Sequence, residues 1–304
     1  MTDKPRIGFI GTGIMGAPMA GHLAQAGYTL TLMDLNRSSA ELVAVRHTGV
    51  TIADTPMAVA EQADIVITML PSGEYVREVA LGEKGLIKGF KHRSLLLDTS
   101  SSEPWLTQAT ARALAEKGIA MVDAPVSGAR AGAEAAELVF MIGGERESVA
   151  RIMPLLQVMG KQFFHLGPIG AGHTMKCLNN TITAMTFLAT TEALALGKHC
   201  GLDPEVMTDV INNSTGMSWI SRTHIKQRIT SRKFDDPFRL ALMLKDVGIA
   251  MHLAQDLKLS LPLSARGLEL WRAADRHAGS GASVSELVRW VEFETGTEIT
   301  PGTG

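Results

Sequence analysis

Short, almost wholly apolar runs recur through the first half of the chain, and stretches in which apolar residues have helical spacing separate them. Apolar runs of about four to eight residues are typical of strands buried on both faces, and their alternation with helices predicts βαβ units. After residue 166 no further strand is predicted, and long helix-compatible stretches follow. The predicted strands are Arg6–Ile10, Thr29–Met33, Val50–Ile52, Ile65–Met69, Ser94–Leu97, Ile119–Val122, Leu138–Ile142 and Gln162–Leu166.

This pattern predicts an α/β fold with three parts. An N-terminal Rossmann-type doubly wound sheet is expected over residues 1–165, followed by an all-helical C-terminal domain over 166–294. Residues 295–304, rich in Thr and Gly, are expected to form a disordered tail. We expect the functional site between the two domains.

The first predicted strand runs directly into a glycine-rich motif, Gly11-Thr12-Gly13-Ile14-Met15-Gly16, and a helix-patterned stretch follows. Its first glycine permits a tight turn, the second lets backbone approach a pyrophosphate, and the third lets helix and strand pack closely. The N–H groups that open the helix would hold the phosphates. Because the motif lies between a strand and a helix, it predicts a dinucleotide site rather than only a tight turn.

Asp34 ends the second predicted strand, about 20 residues beyond the motif, where a carboxylate would bind the adenosine ribose hydroxyls. A carboxylate at this position repels a 2′-phosphate, which favours NAD over NADP. Arg37 could partly offset that repulsion, so NADP is not excluded. The alternative is that Asp34 is a plain turn residue at the end of a strand.

Two further strand ends carry candidate cofactor contacts. In an open parallel sheet, ligands lie beyond the carboxyl ends of the strands, so Leu70 and Pro71 should flank the cofactor. Ser101 follows the next strand and is a candidate contact for the same reason. The alternative for Ser101 and its neighbouring hydroxyls is to cap the helix that Pro104 begins.

A loop of small residues, Ser127-Gly128-Ala129, follows the predicted strand Ile119–Val122. The serine hydroxyl and the two following amides would make a suitable nest for a carboxylate. The alternative is a flexible connector between two strands.

Lys176 lies in the first turns of a helix-compatible run from Gly170 to about His199 and shares a face with Asn180. We interpret this lysine as a proton donor beside the cofactor. Desolvation, a second lysine and a positive nicotinamide ring would each lower its pKa from about 10.4 towards neutrality. Lys245, beside Asp246, is the candidate second lysine. The alternative is that Lys176 only extends its ammonium group into solvent.

Composition narrows the class of protein. The 304 residues are 45% hydrophobic and 20% charged with a net charge of −2, so neither nucleic acid nor an anionic membrane is an expected partner. The two cysteines, Cys177 and Cys200, fit a reduced cytoplasm, and no metal-binding motif occurs. No run approaches the roughly 20 apolar residues of a membrane span. We therefore expect a cytoplasmic protein acting on a small molecule.

Four stretches, in this order, resemble the signatures of the β-hydroxyacid dehydrogenase family. They are Gly8–Ala20 (GFIGTGIMGAPMA), Asp123–Gly128 (DAPVSG), Gly170–Asn180 (GAGHTMKCLNN) and Lys245-Asp246. The resemblance covers nearly the whole chain. It implies an NAD(P)-dependent oxidoreductase that acts on a short 3-hydroxy acid or its semialdehyde and is usually a dimer or tetramer. The apolar stretch Ala184–Leu196 fits such association.

The family also implies roles for single residues. Lys176 would be the general acid/base, with Ser127, Gly128 and Asn180 holding the substrate. Lys245 would lie beside the nicotinamide, and Leu70, Pro71 and Ser101 would contact the cofactor. Ala129 replaces a glycine usual in the family, which puts the size of the substrate in question.

The stretch Val66–Gly89 looks most like the family branch that reduces tartronate semialdehyde (2-hydroxy-3-oxopropionate). We therefore expect tartronate semialdehyde as the substrate. 3-Hydroxyisobutyrate, or another semialdehyde, is the alternative. An imine reductase of the same fold and a non-catalytic dinucleotide sensor are the rival functions. The Ser127 loop together with Lys176 disfavours the first of these, and retention of Lys176, Asn180 and Lys245 disfavours the second.

Overall fold

The protein folds into two compact units, Met1–Lys176 and Cys177–Gly304, and the computed structural model describes residues 4–302. The division lies beyond the boundary expected at residue 165, because the first turn of a long helix packs with the first unit. Among residues 4–302, no helix has both the length and the apolar character needed to cross a bilayer.

The first unit is built on one mixed sheet. Its strands are β1 Ile7–Ile10, β2 Leu30–Met33, β3 Val50–Ile52, β4 Ile65–Thr68, β5 Leu95–Asp98, β6 Ala120–Asp123, β7 Val126–Ser127, β8 Leu138–Gly143 and β9 Gly160–Gly167. The order β3-β2-β1-β4-β5-β6 is parallel throughout, as in a doubly wound dinucleotide-binding sheet. β8 then pairs antiparallel with β6 and β7, and parallel with β9. The predicted fold class is confirmed.

Helices cover the sheet of the first unit. They are α1 Gly16–Gln25, α2 Arg37–Ala44, α3 Pro56–Gln62, α4 Gly73–Leu81, α5 Leu86–Gly89, α6 Pro104–Ala115, α7 Ala129–Glu134 and α8 Arg146–Met159. Alternate residues of one strand enter two separate cores: Leu95 and Leu97 belong to one, and Leu96 to the other. Because both faces of the sheet are buried in this way, its strands are continuous apolar runs.

The second unit is helical. Its helices are α9 Ala171–His199 (which begins in the first unit), α10 Pro204–Asn212, α11 Trp219–Thr223, α12 Leu240–Asp256, α13 Pro262–Ala278 and α14 Leu287–Thr295, with a π-helix at Ile225–Thr230 and a 3₁₀ turn at Val284–Glu286. Trp271 is fully buried at the centre, and its indole N–H donates to the Ala184 carbonyl at 3.2 Å. Phe187 meets the Trp271 ring edge-to-face at a centroid separation of 6.1 Å.

The segment expected to form a disordered tail has packed contacts through residue 302, and residues 303 and 304 lie outside the described residues. Residues through Thr295 still belong to α14. Ile299 is fully buried in the helical core, and Lys198 Nζ donates to the Thr300 carbonyl at 2.6 Å. Disorder was expected from the polar composition, but the segment is held by the buried Ile299, by Lys198, and by an ion pair of Glu298 with Arg232.

Candidate functional site

The glycine motif forms the turn between β1 and α1, and its glycines are not all there for the same reason. Gly11 has a φ of 95°, and a Cβ there would lie 2.3 Å from the Met69 carbonyl oxygen. A Cβ on Gly16 would lie 1.8 Å from the Gly11 carbonyl oxygen. Gly13 is exposed, and a Cβ there would meet nothing within 4 Å. Two glycines therefore serve packing, while Gly13 leaves open space that a dinucleotide can occupy.

Asp34 fixes the conformation of this turn. Its Oδ2 accepts from the Thr12 backbone N–H at 2.6 Å and from the Thr12 hydroxyl at 3.2 Å, while Oδ1 accepts from the Asn36 N–H at 2.8 Å. The carboxylate thus joins the carboxyl ends of β1 and β2, the edge at which such sheets bind nucleotides. Asp34 has structural partners in addition to any role with a ribose.

The ends of β4 and β5 are joined by hydroxyl groups. Ser100 Oγ accepts from the Leu70 N–H at 2.9 Å, and the Ser102 hydroxyl donates to Asp98 Oδ2 at 2.9 Å. The N-cap residue of α6 is Glu103, without a side-chain cap, so Ser100 and Ser102 do not serve as the helix cap. Ser101 lies half-buried between them, and Pro71 is exposed at the same edge.

The Ser127 segment is ordered structure rather than a connector. Ser127 ends β7 and pairs with Val139 of β8, and α7 begins two residues later. Gly128 has a φ of 129° and Ala129 a φ of 52°, both in the region that favours glycine. Ala129 therefore keeps a glycine-like backbone at a cost of about 1–2 kcal/mol. The methyl group occupies space at this turn that a glycine would leave open.

Lys176 is half-buried in the second turn of α9. The start of this helix is tied to β6, because Asp123 Oδ1 accepts from the Gly170 N–H at 2.7 Å and Oδ2 accepts from the His173 N–H at 2.8 Å. At Gly172 a Cβ would lie 2.2 Å from the Met141 carbonyl oxygen. The glycines of this stretch thus let α9 begin directly against the sheet and place Lys176 near the carboxyl end of β6.

In the second unit, Asp246 holds two of the predicted residues. Its Oδ2 accepts from Asn180 Nδ2 at 2.5 Å, and its Oδ1 lies 3.2 Å from Lys245 Nζ. Asp246 is almost fully buried, as is Asn180, and Asn179 Nδ2 donates to Asn180 Oδ1 at 3.1 Å. The sequence predicted Asn180 and Lys245 but did not identify Asp246 as the group that joins them.

Cys177, next to Lys176, is not a nucleophile. Burial, followed by the negative charge of Asp246, raises the pKa of its thiol to about 12. The thiolate is therefore negligible near neutral pH, and only a thiolate attacks readily. Among residues 4–302, no group of three or more His, Cys, Asp or Glu side chains is arranged to hold a metal ion.

Comparison with known proteins identifies the family. Residues 6–167 match the model described as the NAD binding domain of 6-phosphogluconate dehydrogenase, and residues 170–291 match that described as NAD-binding of NADP-dependent 3-hydroxyisobutyrate dehydrogenase. The 3-hydroxyisobutyrate dehydrogenase of Pseudomonas aeruginosa is 37% identical over 300 residues, covering 95% of this chain and 99% of the relative. The chain belongs to the β-hydroxyacid dehydrogenase family.

Other members of the β-hydroxyacid dehydrogenase family also match this chain over nearly its whole length. The 2-(hydroxymethyl)glutarate dehydrogenase of Eubacterium barkeri is 35% identical over 302 residues, covering 99% of this chain and 100% of the relative. A solved structure of Mycobacterium tuberculosis 3-hydroxyisobutyrate dehydrogenase with L-serine superposes with a TM-score of 0.84 at 30% identity, covering 95% of this chain and 99% of that one. This dehydrogenase therefore uses NAD(P) and acts on CH–OH groups.

Proposed function

We propose that this dehydrogenase interconverts tartronate semialdehyde and the corresponding 3-hydroxy acid, with Lys176 as the general acid/base. The observation that carries the proposal is the position of Lys176: a half-buried lysine one turn beyond the helix start that Asp123 ties to the carboxyl end of β6. This is the edge at which open α/β sheets bind their ligands. The glycine turn at the same edge leaves room for a dinucleotide at Gly13.

Lys176 moves the proton in the proposed reaction. NAD(P)H, when bound, supplies the hydride that the carbonyl carbon of the substrate receives. Lys176 Nζ donates a proton to the carbonyl oxygen as negative charge develops there, which yields the hydroxyl group. The neutral amine then takes a proton from solvent. In the oxidising direction the same amine accepts the hydroxyl proton.

The substrate's carboxylate is assigned to the Ser127 turn. The serine hydroxyl and the backbone N–H groups of Gly128 and Ala129 are the donors proposed to hold it. Asn180 is proposed to orient the substrate's oxygens, and its amide is fixed for this by the bond to Asp246. Lys245, paired with the same carboxylate, is proposed to lie beside the nicotinamide.

The substrate class is supported by what the relatives' names share. 3-Hydroxyisobutyrate, 2-(hydroxymethyl)glutarate and L-serine all carry a hydroxymethyl group on the carbon next to a carboxylate, and they differ in the third substituent. The reduced form of tartronate semialdehyde has the same skeleton with a hydroxyl as that substituent. The Ala129 methyl group, in place of a glycine, favours a small substituent. 3-Hydroxyisobutyrate is the second candidate, favoured by the relative at 37% identity.

We further propose that NAD is preferred over NADP. The Asp34 carboxylate is held in place by Thr12 and Asn36, so it cannot easily turn away from a 2′-phosphate. Arg37, the nearby cation that could receive such a phosphate, is engaged by Glu41 at 3.0 Å and by Asp54. The local charge around the ribose position is therefore unfavourable for a further negative group.

Association into a homodimer or homotetramer is proposed as well. Within α9, Ala184 and Phe187 are buried, but Ile182 is 64% exposed and Leu196 is 67% exposed. Contiguous exposed apolar patches mark interaction sites, and we propose that these two side chains belong to such a patch on α9. Light scattering after size-exclusion chromatography would show a mass of two or four chains, and a monomer would contradict this proposal.

A substrate panel tests the function. Tartronate semialdehyde, the semialdehyde of 3-hydroxyisobutyrate and succinic semialdehyde would be reduced with NADH and with NADPH, and kcat/KM compared. We expect the highest value for tartronate semialdehyde with NADH. A clear preference for the second compound would replace the proposed substrate but keep the chemistry.

The Lys176→Ala variant tests the chemistry. Loss of a general acid lowers kcat by about 10²–10⁴-fold, while NADH binding should stay within a factor of about three. Lys161→Ala is the matched control, because Lys161 is an exposed lysine of β9 that pairs with Glu137. Near-normal turnover of Lys176→Ala would refute the assignment of Lys176.

A further inference from the structure

A buried imidazole in the first unit takes no part in the proposed proton transfer. His173 has a fully buried side chain in the first turn of α9, three residues before Lys176. Its Nδ1 lies 2.8 Å from the Thr107 hydroxyl of α6, and its Nε2 lies 3.1 Å from the Ser100 carbonyl oxygen. The carbonyl can only accept, so Nε2 carries a hydrogen and donates it.

Two buried carboxylates flank this ring. Asp98 Oδ2 lies 3.6 Å from His173 Nε2, and Asp123 Oδ2 lies 3.6 Å from His173 Nδ1. Asp98 also accepts from the Thr68 hydroxyl at 2.9 Å and from the Ser100 N–H at 3.0 Å. The imidazole thus lies between the carboxyl ends of β5 and β6, and its partners organise both.

We infer that His173, Asp98 and Asp123 form a positioning cluster, which fixes the helix turn that carries Lys176 against the loop that carries Ser101. This inference rests on the proposed role of Lys176. Asp123 holds the backbone of α9 at Gly170 and His173, and Asp98 holds the backbone of the serine loop at Ser100. The His173 ring connects the two carboxylates. None of the three needs to touch the substrate to affect the reaction.

Electrostatics explains why the ring matters. Burial, and to a smaller extent the nearby Asp98, raises the pKa of Asp123, whereas the electrostatic effect of the His173 ring and the N–H groups of Gly170 and His173 lower it. Without the imidazole, the carboxylate loses one of the groups that keep it ionised. A protonated Asp123 is a weaker acceptor for the two amides that begin α9. Removing His173 should therefore loosen the turn that sets the position of Lys176.

Three variants test the cluster with purified enzyme. His173→Ala removes both ring contacts, His173→Gln can restore the donor to the Ser100 carbonyl, and Lys176→Ala provides the reference. Displacing a catalytic group by about 1 Å can cost on the order of 100-fold, so we expect kcat to fall about 10- to 100-fold in His173→Ala. His173→Gln should recover part of the loss. The Kd of NADH should change much less than kcat in both variants, because the glycine turn is untouched and only the contact at Ser101 is loosened.

A double variant decides between positioning and general destabilisation. If His173 acts through Lys176, then His173→Ala adds little to kcat once Lys176→Ala is present, because residues that act as a unit are strongly non-additive. If His173 only supports the fold, its fold-change in kcat should be the same in both backgrounds, and the inference is then wrong. His165→Gln is the control, because His165 of β9 also bonds a backbone carbonyl, Gly144, at 2.8 Å.

Two failures can be told apart. An active Lys176→Ala variant would overturn the proposed function itself, whereas an inactive Lys176→Ala beside a fully active His173→Ala would overturn only the cluster. If His173→Ala does not fold, Thr107→Val replaces it, since this change removes the partner of Nδ1 while keeping the side-chain shape. Its kcat should fall while NADH binding persists. An unchanged kcat would again count against the inference.

Discussion

A dinucleotide motif can contain glycine because the protein leaves no space for a side chain or because a ligand needs that space, and Gly13 allows these two reasons to be tested separately. Its neighbours in the motif are glycines because the protein itself leaves no space, with a Cβ on Gly16 falling 1.8 Å from a backbone oxygen. At Gly13 nothing lies within 4 Å of the added atom, and its φ is not in the left-handed region. Only a bound ligand would therefore meet an alanine methyl group at this position. Gly13→Ala is the informative change.

Gly13→Ala should increase the stability of the protein but weaken its binding of NADH. Replacing a glycine whose backbone suits alanine stabilises a protein by about 0.4–1 kcal/mol, because the unfolded chain has fewer states to lose. Intrusion of a methyl group into a close contact costs about 1–3 kcal/mol. At about 1.4 kcal/mol per factor of ten, that cost corresponds to roughly 5- to 150-fold weaker NADH binding.

Thermal unfolding without cofactor and NADH titration by fluorescence measure both effects on one sample. Gly13→Ala should keep or raise Tm and weaken NADH binding. Gly16→Ala, in contrast, should lower Tm in addition to weakening NADH binding, because its methyl group would meet the Gly11 carbonyl oxygen. An unchanged Kd for NADH in Gly13→Ala would refute the idea that the cofactor's pyrophosphate lies close to the backbone of this residue. A lower Tm would show that the residue serves packing.

Three further predictions concern the burial of two side chains and the packing around two helical glycines. At about pH 8, Ellman's reagent should modify the exposed Cys200 quickly and Cys177 slowly. Burial raises the pKa of the Cys177 thiol to about 12, so this thiol stays protonated until strongly alkaline pH. Two equal rates of modification would contradict this prediction. Ile299→Ala should lower the free energy of unfolding in urea by about 2–4 kcal/mol, and no change would mean that the tail is not packed. Gly172→Ala should destabilise the protein, because its Cβ meets the Met141 carbonyl oxygen. Gly248→Ala, with nothing within 4 Å, should stabilise it by up to about 1 kcal/mol, and equal effects would contradict the packing argument.

The central sheet could be predicted from the sequence because each parallel strand is buried on both faces. A run such as Ile65–Thr68 is short and almost wholly apolar, which is typical of a strand buried on both faces. The segments around Ser127 and after Thr295 could not be predicted in the same way. They contain few apolar residues, and single contacts decide their structure: the pairing of Ser127 with Val139, and the burial of Ile299. Composition reports averages and cannot identify such contacts.

The site shows the same limit in another form. The glycine turn, and the place of Lys176 near the start of a long helix, could be predicted because their residue types are unusual at their positions in the pattern. His173 is in the same stretch, yet periodicity cannot show that its ring turns towards Thr107 and Ser100 rather than to solvent. Asp98 and Asp123 each end a strand, where a carboxylate is an ordinary turn residue. Their common role depends on side-chain directions at the edge of the sheet.

That common role bears on why a chain keeps two carboxylates fully buried at one edge of its sheet. A buried charge contributes little net stability, because the cost of desolvation cancels most of what its partners return. Asp123 nevertheless receives two backbone N–H groups, and Asp98 receives one together with two hydroxyls. These bonds join β4 to β5, and β6 to the start of α9, at the edge where the active site is proposed. A hydrocarbon core could supply comparable stability there, but it could not set the direction in which a helix turn presents its lysine.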